Sequence, residues 1–178
     1  MGGQCPTRDG RALCCEPAPV LRRVDRDRHG RYAYSGQLGN GDALSNYSSP
    51  IQIGFLTGWK TINCGVAHST SIRTDGTLWI WGNNTYGQIG DSTRSHRSSP
   101  LQTIAGGNNW KQVWSGNHTA AIKTDGSLWE WGSNASGQLG NGNILSYSSP
   151  VQVGALTTWK QVACGNLYTA AIKTDGTL

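Results

Sequence analysis

The chain has 178 residues, with 25 Gly and 8 Trp but only one Met and one Phe, and a formal net charge of +5. Abundant glycine with evenly spread aromatics suits an all-β repeat protein with many turns. No apolar run reaches the length that spans a bilayer, and the first residues lack the apolar core of a secretory signal, so membrane and export readings are set aside and a cytoplasmic location is the default expectation.

Residues 1–34 do not resemble the rest of the chain. Seven Arg against four acids give them a net charge of +3, and Pro6, Pro17 and Pro19 interrupt any regular element. Arg22 to Arg31 is charged without an apolar period, so a non-repeat, disordered segment is expected. Cys5, Cys14 and Cys15 lack the paired Cys-x-x-Cys spacing of a zinc site. From residue 35 onward there are eight Lys/Arg and six acids, dispersed along the chain. Phosphate binding draws on clustered positive charge, so a nucleic-acid partner is not expected.

From Ser35 the chain copies itself with a period of about 50 residues, a length that signals stacked units. The copies are read as 35–86, 87–136 and 137–178, the third cut short. Gly36-Gln37-Leu38-Gly39 recurs as Gly87-Gln88-Ile89-Gly90 and Gly137-Gln138-Leu139-Gly140. Ser48-Ser49-Pro50 recurs at 98–100 and 148–150, and Trp59-Lys60 recurs as Trp110-Lys111 and Trp159-Lys160. Thr74-Asp75-Gly76-Thr77-Leu78-Trp79-Ile80-Trp81-Gly82 returns as Thr124-Asp125-Gly126-Ser127-Leu128-Trp129-Glu130-Trp131-Gly132, and begins again at Thr174.

Each copy predicts four short strands. Proline opens the first, Trp-Lys begins the second, and an Asp-Gly hairpin of type I′ joins the third to the tryptophan strand. Alternation puts Trp79 and Trp81 on one face and Leu78 and Ile80 on the other. A sheet apolar on both faces must stack on neighbours. The expected fold is all-β: about three stacked four-stranded antiparallel blades of an incomplete β-propeller. Cys64 and Cys164 fall at equivalent places in different blades, too far apart to bridge, and read as small packed residues.

These phrases resemble the repeats of the regulator-of-chromosome-condensation family. The resemblance rests on Gly65-Val66-Ala67-His68-Ser69, Asp125-Gly126, Leu128-Trp129-Glu130-Trp131-Gly132-Ser133-Asn134 and Gly137-Gln138-Leu139-Gly140, and covers residues 35–178. It implies a β-propeller, commonly of seven blades, so the chain is expected to be a fragment. It also implies candidate functions: guanine-nucleotide exchange on a small GTPase, or a secreted bacterial-type inhibitor or surface propeller. A plant UV-B photoreceptor resembles the same family, with repeats reading Gly-Trp-Arg-His-Thr. The corresponding words here hold neither Trp nor Arg before His68 or Tyr168, so the tryptophans are given a structural role.

No catalytic, cofactor-binding or metal-ligating constellation is read from the residues. His68 and His118 repeat, and a repeated His holds a turn more often than it acts as a base. Glu130 reads as a lone acid. The loop after Gly-Gln-Leu-Gly is re-lettered from copy to copy while its frame is kept, as expected of partner-binding loops on a rigid scaffold. Tyr47, Arg94, His96, Arg97 and Tyr147 are the candidate contacts, since Tyr and Arg dominate interface hot spots. The expected function is a non-enzymatic protein-interaction scaffold, without cofactor, with self-association through exposed blade edges as a further expectation.

Overall fold

A computed structural model describes residues 35–43 and 49–178. Residues 1–34 and the candidate contact Tyr47 lie outside them. The described residues form strands and turns, without a helix, so none offers a helix long and apolar enough to cross a membrane. Strands β1 (Trp59–Cys64), β2 (His68–Arg73), β3 (Leu78–Gly82) and β4 (Arg97–Gln102) pair in chain order as one antiparallel sheet. Strands β5 (Trp110–Ser115), β6 (His118–Lys123), β7 (Leu128–Gly132) and β8 (Tyr147–Gln152) repeat it. Strands β9 (Trp159–Cys164) and β10 (Thr169–Lys173) form a third, two-stranded sheet. The fold is therefore an all-β stack of propeller blades, the third incomplete.

The sheets are out of step with the sequence copies. Strand β4 belongs to the copy 87–136, yet it closes the preceding blade by pairing with β3. Each four-stranded blade is thus closed by a strand from the next copy. Pro100 and Pro150 do not open their strands, as expected from the sequence, but stand fourth in β4 and β8. These are outermost strands, so the missing N–H faces away from the ladder and costs no sheet hydrogen bond.

Burial follows the alternation. Leu78 and Ile80 face the second blade and share a cluster with Val113, Ala121 and Trp131. Trp81 faces the other way, onto Leu38 and Ile53. In the second blade, Leu128, Ala120 and Ile122 meet Val162 of the third. Trp81 and Trp131 each donate Nε1–H to the carbonyl of a loop glutamine, Gln37 and Gln88, at 2.9 Å. The Gly-Gln-Leu-Gly phrase therefore lays its backbone on the tryptophan of the blade it precedes. A Cβ at Gly39 or Gly90 would collide with that indole, and both have positive φ, which only glycine adopts freely.

The Asp-Gly hairpins differ from the type I′ expectation. Gly126 has φ +81° while Asp125 stays at negative φ, and Gly126 N donates to Lys123 O while Lys123 N donates to Ser127 O. This is a type I turn followed by a left-handed glycine bulge. Its cause is local: Asp125 Oδ1 accepts from both the backbone N–H and the hydroxyl of Ser127, at 2.9 and 2.6 Å. Asp75 with Thr77 and Asp175 with Thr177 do the same. The hydroxyl after Asp-Gly selects the longer turn.

Candidate functional site

Every blade has two ends. The Asp-Gly hairpins and the connections between blades lie at one. The short turns after β1, β5 and β9 and the long loops 83–96 and 133–146 lie at the other, where the sequence places the candidate contacts.

The long loops are wound around a buried asparagine. Asn84 Nδ2 donates to Asp91 Oδ1 (3.1 Å), Thr93 O (3.1 Å) and Ser95 O (3.0 Å), while its Oδ1 accepts from Ile89 N at 2.9 Å. Asn134 repeats this with Asn141, Asn143, Leu145 and Leu139. Its amide is fully buried.

The candidate contacts divide in this frame. His96 Nδ1 accepts the backbone N–H of Asn84 at 2.9 Å, as Ser146 Oγ does for Asn134 at 3.2 Å. Arg97 grips Asp91 with two nitrogens; Asp91 is buried, and its carboxyl is held below the usual range by the Thr93 hydroxyl and the Arg97 guanidinium, which outweigh burial. Tyr147, equivalent to Arg97, is half-buried against the first core cluster and accepts Asn143 Nδ2 at 3.0 Å. Among the described candidates Arg94 alone is exposed without such a role in the loop. Its counterpart in the next loop is Ile144, and Ser95 corresponds to Leu145; both apolar residues are about two-thirds exposed, at 69% and 65%. Sequence reasoning passed over Ile144 and Leu145 because an isolated apolar letter in a loop carries no period. Aligning the loops on their buried asparagines would have marked both as tips.

Replacing Asn84 by Ala should cost about 1–3 kcal/mol, the range for stranding buried hydrogen-bonding groups. Amide hydrogen exchange should accelerate at residues 91–96 while β2 and β3 stay protected. Unchanged exchange there would contradict the role assigned to this amide.

Beneath the loops, the repeated histidines join blades rather than holding their own turns. His68 Nε2 lies 2.9 Å from Thr119 Oγ1, and Thr119 gives its hydroxyl hydrogen to Gln88 O. The histidine must therefore donate from Nε2. His118 Nε2 meets Thr169 Oγ1 at 2.7 Å, and Thr169 donates to Glu130 Oε2 at 3.2 Å. Burial lowers His68 to about 3 and His118 to about 4, so both stay neutral and serve as struts. Glu130 is not the lone acid that the sequence suggested. It is 2% exposed, it partners Thr169 in the next blade, and burial pushes it up to about 8. Cys164, a free half-buried thiol nearby, is pushed up by burial and by Glu130. Among the described residues no group of His, Cys, Asp and Glu is placed to hold a metal ion.

Comparisons agree with this architecture. The family model described as Regulator of chromosome condensation (RCC1) repeat matches residues 75–122 and 125–172, and a second RCC1-repeat model matches 59–88. Human WBSCR16 is 24% identical, with a TM-score of 0.69 over 81% of this chain and 39% of its own. Prp20p from Saccharomyces cerevisiae, a protein studied for its binding to Gsp1p and histones, is 16% identical, with a TM-score of 0.69 over 86% of this chain and 43% of its own. Yeast RCC1 (Prp20) in complex with Kap60 is 19% identical, with a TM-score of 0.70, over 91% and 43%. These structures share the fold, and the chain spans less than half the length of each. Two adjoining matches to the repeat model, the Asp-Gly hairpins, and the tryptophan strands seated on Gly-Gln-Leu-Gly loops show that this chain belongs to the RCC1 repeat family.

Proposed function

We propose that the chain is a non-enzymatic protein-interaction scaffold whose partner-facing surface is the tips of its long loops. One observation carries this reading. The two described loops keep the same hydrogen-bond frame around Asn84 and Asn134, yet present Arg94 and Ser95 in one and Ile144 and Leu145 in the other. A rigid frame with variable, solvent-facing tips is how a scaffold acquires a partner without altering its core.

The test is comparative affinity capture with the wild-type chain and an Arg94→Glu/Ile144→Asp/Leu145→Asp variant. Proteins retained by the first should be missing from the second. Identical retention would overturn the assignment. The family match also supports a part in a guanine-nucleotide exchange factor. A nucleotide-release assay on a small GTPase separates the readings: the scaffold leaves the rate at its intrinsic value, and acceleration would favour the exchange factor.

Self-association forms part of the same proposal. Among the described residues strand β10 pairs only with β9, and Ile172 and Tyr168 are 37% and 67% exposed. An unpaired strand edge is a template for another chain. Sedimentation velocity should show concentration-dependent species larger than a monomer, which Ile172→Lys reduces. A monomer at every concentration would contradict it.

A further inference from the structure

The basic residues that look dispersed in sequence are gathered in space, because a fixed repeat returns each to the same end of its blade. Six of the eight from residue 35 onward lie at the hairpin end. Three of them, Arg73, Lys123 and Lys173, close the second strand of each sheet and lie over tryptophan rings, at 5.9, 4.2 and 5.8 Å from Trp79, Trp129 and Trp159. Each is matched by a hairpin carboxylate two residues on. Arg73 pairs with Asp75 at 3.0 Å, and Asp125 and Asp175 are held below the usual range by hydrogen bonds from Ser127 and Thr177, with the charges of Lys123 and Lys173 acting in the same direction.

The other three have no such match. Lys60, Lys111 and Lys160 are exposed, and no carboxylate among the described residues pairs with them. Their backbone setting is shared. In every blade the register slips across this residue: Trp59 pairs with Arg73 and Thr61 with Ile72, Trp110 with Lys123 and Gln112 with Ile122, Trp159 with Lys173 and Gln161 with Ile172. Each lysine is therefore the extra residue of a β-bulge, the device that re-aims a side chain out of a ladder. The strands carrying them adjoin from blade to blade, and Gln112 Nε2 ties the second bulge to the third through Lys160 O at 3.0 Å. The connection before each bulge exposes an apolar side chain: Phe55 at 100%, Ile104 at 55% and Leu156 at 49%.

We propose that this row is a docking surface for an extended acidic peptide segment that alternates carboxylates with apolar side chains. The bulged lysines supply three unmatched positive charges in a line, and Phe55, Ile104 and Leu156 supply the apolar contacts beside them. The chemistry favours protein over nucleic acid. Phosphate backbones are met by dense cation clusters, and unpaired bases by aromatic platforms; here one cation per blade is left without a carboxylate, and these three alternate with Phe55, Ile104 and Leu156. The surface lies at the opposite end of the blades from the loop tips, so the two can be occupied together.

Fluorescence anisotropy with three labelled probes tests the proposal: an alternating Glu-Leu peptide, an all-Glu peptide of equal charge, and a single-stranded thymidine oligonucleotide of equal charge. The alternating peptide should bind most tightly, and added salt should weaken it. The triple variant Lys60→Gln/Lys111→Gln/Lys160→Gln, which removes only exposed charges, should reduce its affinity by roughly ten-fold. Arg94→Gln at the other end should change it by less than about two-fold. Absence of binding, equal sensitivity to Arg94→Gln, or preference for the oligonucleotide would each overturn the proposal.

Discussion

Trp131→Ala should be among the most damaging single changes in the chain, destabilising it by about 3–5 kcal/mol. Trp131 is fully buried at the joint of the first two blades, among Ile72, Leu78, Ile80 and Val113. Its ring lies 6.1 Å from Trp110, and its N–H is committed to Gln88 O. Truncation removes the packing of both blades at once and one of the two hydrogen bonds that Gln88 O accepts, leaving the one from Thr119. Trp129, two residues earlier on the opposite side of Glu130, is only half-buried, and its N–H bonds locally to Ser127. Trp129→Ala should therefore cost clearly less. Urea unfolding of the two variants measures the difference. Equal losses would mean that the blade joint does not hold the fold together.

The second large effect is a stability maximum near pH 6.5 that depends on Glu130. Its carboxyl titrates at 4.5 unfolded and about 8 folded. Between those values the unfolded chain has released a proton that the folded chain keeps, so stability falls as pH rises. The full fall is roughly 4–5 kcal/mol, from the usual conversion of a pKa shift. His68 and His118 act in the opposite sense. They titrate at 6.5 unfolded and at about 3 and 4 folded, so stability is lost as pH drops below 6.5. In the first blade, Ile80 stands where the second has Glu130. Glu130→Ile should therefore remove the alkaline fall and steepen the acid limb between pH 4.5 and 6.5, where Glu130 opposes the two histidines. Thermal unfolding from pH 4 to 9 checks this. A wild-type profile flat above pH 6.5 would show that the carboxyl is not held neutral in the joint.

Sequence and structure part company along a consistent line. What repeats was legible: the tryptophan strand, the two-faced packing of Leu78 and Trp81, and the blade architecture follow from landmarks kept in order. What depends on one hydroxyl or on spatial adjacency was not. The type of the Asp-Gly turn is set by Thr77 and Ser127, each of which bonds the aspartate of its own turn through both N–H and hydroxyl. Strand β4 joins the earlier blade, which no period within a single copy announces. Glu130 looked isolated because its partner, Thr169, lies 39 residues away. Lys60, Lys111 and Lys160 looked dispersed because a linear count of charge ignores that a repeat superposes them. Among the candidate contacts, residue type marked Arg97 as a hot-spot residue but could not show that its guanidinium bonds Asp91 within the loop, or that His96 accepts the N–H of Asn84.

Whether the loop tips hold a partner is decided by a binding titration of a captured partner. The chain would be titrated as wild type and as Arg94→Glu/Ile144→Asp/Leu145→Asp, with thermal unfolding of both in parallel. The scaffold reading predicts at least a roughly ten-fold loss of affinity in the variant, with a melting temperature within a few degrees of wild type, since all three side chains are exposed. Undiminished affinity in a variant that folds as wild type does would contradict it.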